Sequence, residues 1–273
     1  MTGSQGKNDA GDEKAVLRMA APLWRRLLSA AADLLWPPVC AACPRLLPLA
    51  VSGNAPEAHF CSECLERIEF MPQEICPLCG RPYFNEVAGH LCGDCLAAAP
   101  PFASARSALL YCGPVARSIA RLKYQGDLSQ KASLAALSSH FLAGAVEPGF
   151  YDFIIPLPIS PQRLAERGFN QAAELARAIY RPHRHSINEE ILIRCTDGRR
   201  HQAALSGSER RRALQGHFRV PQEALVRGRR LLLFDDVFTT GATASEAAKT
   251  LMKAGAEQVD VATVARTVLQ FWR

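Results

Sequence analysis

A chain of 273 residues has room for one large or two modest domains, and a 48% hydrophobic share is ordinary for a folded globular protein. No apolar run approaches the ~20 residues of a membrane-spanning helix, which excludes a transmembrane segment. The formal net charge of +6 is too mild for a general basic coat, yet twelve Arg stand against five acids between Arg181 and Arg230. Positive charge gathered in this way suits a polyphosphate and would also suit nucleic acid.

The first 14 residues are polar and mixed in charge, without the basic-then-apolar layout of an export signal. They predict a disordered tail over 1–20 and a cytoplasmic location. Apolar residues then recur at helical spacing, Leu23, Leu27, Ala31 and Leu34, with Trp24, Leu28 and Leu35 beside them, until Pro37-Pro38 stops the run. This predicts an amphipathic helix over 21–38. Arg25 and Arg26 on its polar face leave two uses open, a membrane surface or docking on the protein's own core.

Eight cysteines follow as four C-x-x-C pairs: Cys40/Cys43, Cys61/Cys64, Cys76/Cys79 and Cys92/Cys95. A C-x-x-C knuckle aims two sulfurs at one metal, and tetrahedral zinc supplies folding energy to segments too small for a core. A disulfide framework would need an oxidising compartment, so the reading is two structural zinc sites within 39–100. Joining neighbours groups Cys40, Cys43, Cys61 and Cys64 at one site and Cys76, Cys79, Cys92 and Cys95 at the other. Interleaved pairing stays open. His59 and His90 each precede a Cys by two residues, but eight thiolates fill two sites and leave both histidines as bystanders.

After Pro100-Pro101 the pattern becomes alternating strands and helices, which predicts an α/β domain over 101–273. The expected elements are a strand over 108–112 and a helix from 113 with Val115, Ile119 and Leu122 on its core face. A helix over 128–145, a strand over 153–156, a helix to about 180 and a strand over 191–195 follow. Lys123, in Leu122-Lys-Tyr-Gln-Gly-Asp127, is placed either to reach a bound phosphate or to stay solvated. The prolines of Leu157-Pro-Ile-Ser-Pro fix a tight turn at a strand end, where Arg163 and Arg167 are candidates for a second anion site or partners of Glu166 and Glu174. Cys112 and Cys195 stand alone in apolar runs and read as buried small residues. From 196 to 216 periodicity disappears while Arg199, Arg200, Arg210, Arg211 and Arg212 accumulate. A connection this long is functional or disordered.

The richest stretch comes next. An apolar run over 231–234 reads as a strand buried on both faces, with Asp235 and Asp236 at its carboxyl end. Thr239-Thr-Gly-Ala-Thr243 leads into a helix over 244–254. Ligands of open α/β sheets gather where strands end and helices begin. The helix start offers free N–H groups and a positive dipole end to a phosphate. Gly241 lets the backbone approach, and Thr239, Thr240 and Thr243 add hydroxyls around Ala242. The carboxylates would repel that phosphate, so they suit something hydroxylated, such as a ribose. One more strand is expected over 258–264.

Leu231-Leu-Leu-Phe-Asp-Asp-Val-Phe-Thr-Thr-Gly-Ala-Thr243 resembles the signature of the type I phosphoribosyltransferases. The resemblance implies a mostly parallel sheet flanked by helices. It also implies that Asp235 and Asp236 bind the ribose hydroxyls of phosphoribosyl pyrophosphate (PRPP), which arrives with magnesium, while residues 239–243 bind its 5-phosphate. The segment 196–216 takes the place of a loop that closes over substrate. The Cys pairs, Leu122-Lys-Tyr-Gln-Gly-Asp, Pro156-Leu-Pro, Arg167-Gly-Phe-Asn-Gln, and Gln202 with Leu205 and Glu209-Arg210 together resemble the ComF family, GntX-type members included. That family joins a double zinc ribbon to a phosphoribosyltransferase-like domain and is linked to DNA uptake. Ala213-Leu214 departs from it, since the family often has Asn there. The implied activity is phosphoribosyl transfer with pyrophosphate release. The rivals are a non-catalytic PRPP or nucleotide sensor and a single-stranded DNA binder.

Overall fold

The computed structural model describes residues 37–48, 55–83, 89–195 and 217–268. The expected tail, nearly all of the expected helix over 21–38, and the segment 196–216 with Arg199, Arg200, Arg210 and Arg211 lie outside them. Six strands follow in chain order: β1 (Ser104–Leu110), β2 (Phe153–Pro156), β3 (Ile193–Arg194), β4 (Phe218–Arg219), β5 (Arg230–Phe238) and β6 (Gln258–Arg266). The helices are α1 (Ser62–Glu66), α2 (Gly93–Ala97), α3 (Gly113–Gln125), α4 (Gln130–Ala145), α5 (Pro161–Arg167), α6 (Gln171–Ile179) and α7 (Ala242–Lys253).

Four strands form one parallel sheet in the order β1-β6-β5-β2. Strands covered on both faces read as continuous apolar runs, and β5 obeys: Leu231 to Phe234 are all buried. Alternation then sorts them. Leu232 and Phe234 join Val115, Ile119, Leu134 and Leu175 from α3, α4 and α6 on one face. Leu231 and Leu233 join Ala247 and Leu251 of α7 on the other. Among the described residues, no helix is long and apolar enough to cross a membrane.

Caps place the helices that matter for the site. Pro114 occupies the first turn of α3, where its missing N–H costs nothing, and Gly126 closes the helix in the left-handed region at φ 66. Ser160 accepts from Arg163 N at the start of α5. Asn170 accepts from Ala172 N at 3.0 Å while its amide donates to Leu157 O at 3.2 Å. The start of α6 is thereby tied to the end of β2.

The Cys-rich segment lies along the edge of β1. Met71 N donates to Ala108 O and Leu110 N to Glu69 O, both at 2.9 Å, while Ala105 N donates to Leu78 O at 2.8 Å. An open edge strand is a template for unwanted pairing, and here the Cys-rich segment occupies it. Gly80 sits at φ +71 with its missing Cβ only 2.3 Å from Ala105 O, so no larger residue fits this contact. On the other half, Arg117 Nε donates to Ala42 O at 2.8 Å and Arg121 to Ala41 O at 3.1 Å.

Three expectations need correction. The first strand runs over Ser104–Leu110, earlier than 108–112. Its polar residues are satisfied across the pair, Ser104 by Asp260 and Ser107 by Thr263, each at 2.7 Å. The strand over 191–195 is only Ile193–Arg194, and it pairs antiparallel with β4 outside the main sheet. Asn188 explains the change: its N donates to Ile154 O, and its Oδ1 takes the N–H groups of Glu190 and Ile191, turning the chain off the β2 edge. Cys112 and Cys195 are half-buried rather than buried, Cys112 serving as the N-cap of α3.

Candidate functional site

Two tetrathiolate clusters stand out first. Cys40, Cys43, Cys61 and Cys64 bring four sulfurs together, as do Cys76, Cys79, Cys92 and Cys95, each set within 4.8 Å. Neighbouring pairs therefore combine and the interleaved alternative is excluded. None of the ten cysteines forms a disulfide. Sulfurs at ~2.3 Å from a tetrahedral zinc lie about 3.8 Å from one another. The Cys43–Cys61 and Cys79–Cys92 separations are 3.7 and 3.6 Å. Both donor sets thus fit zinc.

The clusters are built alike. Cys61 N donates to Cys40 Sγ and Cys92 N to Cys76 Sγ, each at 3.4 Å. Val39 bridges Leu46 as Ile75 bridges Pro82, and Arg45 pairs with Glu63 as Arg81 pairs with Asp94. This is one knuckle-and-helix unit used twice. Neither His59 nor His90 enters a cluster; His90 packs its ring on Tyr83 instead.

A second constellation lies at the carboxyl ends of β2 and β5, around a cleft of about 280 Å³. Asp235, Asp236, Thr239, Thr243, Lys123 and Arg163 all line it. Asp236 continues the Leu232–Phe234 face toward α3, where its Oδ1 meets Lys123 Nζ at 2.9 Å; the side chains are 3% and 18% exposed. Its Oδ2 is buried without a hydrogen-bond partner. Asp235 Oδ1 accepts from Asp236 N at 2.8 Å. Burial, and then the charge of Asp236, push the Asp235 carboxyl up to about 8. Burial alone would pull the Lys123 ammonium down, but Asp236 and Asp235 outweigh it and the net shift is upward. At neutral pH the Asp235 carboxyl therefore holds its proton beside the Lys123–Asp236 ion pair. Lys123 is therefore not a solvated cation.

Beyond the acids the chain enters α7. Thr239 and Thr240 are exposed, Gly241 and Ala242 are buried and Thr243 is half-buried. Gly241 adopts φ +72, and a Cβ there would lie 2.5 Å from Phe238 Cζ, so the turn needs glycine on both counts. Thr240 Oγ1 accepts from Ala242 N at 3.4 Å. The remaining first-turn N–H groups have no intrahelical acceptor and make up the positive end of the helix dipole.

Arg167 stands apart from this cleft. It donates to Gln171 Oε1 at 3.0 Å and lies over the Tyr124 ring, beside an adjoining hollow of about 450 Å³ that it shares with Arg163. Neither Glu166 nor Glu174 holds it; Glu174 pairs with Lys131 and Arg177. Sequence reasoning missed three polar lining residues, Tyr111, Gln171 and Arg194. Tyr111 follows the end of β1 and Gln171 opens α6, so a strict search of strand ends and helix starts finds both. Arg194 is hidden among the twelve arginines of its region.

The architecture defines a class: paired tetrathiolate ribbons docked on the edge of a parallel sheet flanked by helices. Residues 31–96 match the model of the double zinc ribbon domain. The chain is 33% identical to the DNA utilization protein YhgH of Escherichia coli O157:H7, over 85% of this chain and 98% of that protein. It is 29% identical to the competence protein ComFC of Bacillus subtilis (80% and 90% covered) and 30% to competence protein F of Haemophilus influenzae (83% and 96%). The chain belongs to the ComF family.

Proposed function

We propose that the protein binds PRPP, or a nucleotide carrying ribose 5-phosphate, and transfers the phosphoribosyl group with release of pyrophosphate. One observation carries this reading: a single strand end delivers two adjacent acids and a Thr/Gly helix start to the same cleft. The N–H groups of α7 with Thr239, Thr240 and Thr243 suit the 5-phosphate, because they offer donors and a positive dipole end. Asp235 and Asp236 suit the ribose diol as acceptors. Arg163, with Arg167 behind it, suits the pyrophosphate.

As pyrophosphate departs, positive charge builds on the anomeric carbon and negative charge on the leaving oxygen. The acid pair stabilises the first and the Arg and Lys groups the second, all from fixed positions. Magnesium fits the donor set here, since Asp236 Oδ2 is a hard oxygen lacking a partner and Asp235 lies beside it. Bound there, it would neutralise phosphate charge. Closure of the segment around Arg199, Arg200, Arg210 and Arg211 would exclude water. Thiolate–zinc sites need reducing surroundings, which supports a cytoplasmic location. The names of the relatives extend the proposal to DNA uptake or use, with single-stranded DNA or its nucleotides as partners.

A sensor that binds without catalysis is favoured by one feature. The Lys123 ion pair already occupies Asp236, so a ligand must compete for it. Two measurements decide. Losing a charged hydrogen-bond partner costs about 1.5–3 kcal/mol, so Asp236→Asn weakens magnesium–PRPP binding at least several-fold by calorimetry, and unchanged affinity sinks the site. Pyrophosphate release with a panel of bases and amines then separates enzyme from sensor.

A further inference from the structure

The second tetrathiolate cluster and the Thr/Gly loop are joined by a short chain of buried contacts. Arg266, at the end of β6 and 8% exposed, donates from Nη1 to Cys79 O at 2.7 Å. Its guanidinium lies over the ring of Phe238, 4.5 Å from the centroid. That ring is the floor of the loop, since the missing Cβ of Gly241 would fall 2.5 Å from Phe238 Cζ. Phe102 braces the ring edge-on at 6.2 Å, and Thr267 N holds Phe238 O at 3.0 Å. One side chain therefore touches both the ribbon that closes around metal and the aromatic plate beneath the turn.

We propose that Arg266 is a positioning residue: through Phe238 it transmits the closed shape of the second zinc ribbon to the loop 239–243 and holds that loop ready for a phosphate. Arg266 has no access to the ligand, and the phosphate assignment of the loop is that of the proposed function. The physical case rests on two preferences of guanidinium. It is planar, so it stacks flat on an aromatic ring while its edge donates to a carbonyl, and lysine cannot do both. Its charge also opposes that of a tetrathiolate zinc centre nearby. When the ribbon opens, the carbonyl anchor is lost, the guanidinium is free to leave the ring, and the plate under Gly241 loosens.

Hydrogen exchange of the zinc-loaded full chain reads this directly, without relying on the identity of the ligand. In Arg266→Met, the amides of residues 240–244 exchange at least about tenfold faster, while those of β5 over 231–234 keep their protection. Arg266→Lys, which retains charge and is the milder change, gives a smaller acceleration in the same residues. Should Arg266→Met not fold, Arg266→Lys alone decides. Unchanged loop exchange in every variant that folds with two zincs per chain overturns the proposal, as does acceleration spread evenly through β5. Magnesium–PRPP titration of the same proteins gives about a tenfold weaker Kd for Arg266→Met. A wild-type chain that fails to bind PRPP would discard the phosphate reading while the exchange data still judge Arg266.

Discussion

Replacing Lys123 by Met strands Asp236 in the wall of the cleft. The carboxylate is 3% exposed and its Oδ2 already lacks a partner, so losing the ammonium leaves it without a counter-charge. Exposed pairs contribute about 0–1 kcal/mol, whereas removing one member of a buried pair costs about 3–5 kcal/mol. With side chains 18% and 3% exposed, this pair falls in the second class. Protonation offers a partial escape, since a neutral carboxyl tolerates burial better. An unpaired carboxylate costs more to bury than a neutral carboxyl, so the mutant's loss is greater at high pH than at low pH. Thermal unfolding of the zinc-loaded chain should therefore show Lys123→Met about 6–12 °C lower in Tm at pH 8.5, from ~3 kcal/mol at 2–4 °C per kcal/mol, with a clearly smaller loss at pH 6. Adding Asp236→Asn should restore most of it, because no charge is then left stranded. Equal losses at both pH values, or additive losses in the double mutant, would refute the reasoning.

The Asp235 carboxyl holds its proton up to about pH 8 in the free protein and must give it up to act as a charged acceptor. Magnesium–PRPP affinity should thus rise between pH 6.5 and 8 by up to about tenfold per unit. Calorimetry in two buffers should find a proton released, and a flat profile in wild type or an unaltered slope in Asp235→Asn would count against it. Gly80→Ala places a Cβ 2.3 Å from Ala105 O in a left-handed turn. It should cost about 1–3 kcal/mol in urea unfolding, and wild-type stability would mean that the knuckle does not press on β1. Chelating the zinc should unfold the ribbons and bare the β1 edge, seen as growing light scattering; a monodisperse metal-free chain would contradict that coupling.

The parts of the fold that could be read from sequence are those whose cause is local. Leu231 to Phe234 announce a strand covered on both sides, and β2 needs only Phe153–Pro156 followed by a proline turn. The C-x-x-C spacing marks each knuckle without reference to any distant residue. What escaped depends on distant partners. The polar start of β1 becomes a strand because Asp260 and Thr263, more than 150 residues away, satisfy its serines. Which knuckles share a metal follows from docking, not from spacing. Lys123 looks like any helix-end lysine until the fold sets it against Asp236, and Arg266 carries no local sign of its two contacts.

The tetrathiolate centres also change how the chain's electrostatics should be read. The formal +6 counts every thiol as neutral, but four thiolates around Zn²⁺ carry a formal −2, so two loaded centres leave a total of about +2. Much of the basic character suggested by composition is therefore neutralised internally, by sulfur beside Arg121 and Arg266. Loading with metal should slow migration toward the cathode in native electrophoresis and move the isoelectric point downward. The holoprotein would then approach anionic polymers with little long-range pull, leaving attraction to the arginines clustered between Arg181 and Arg230.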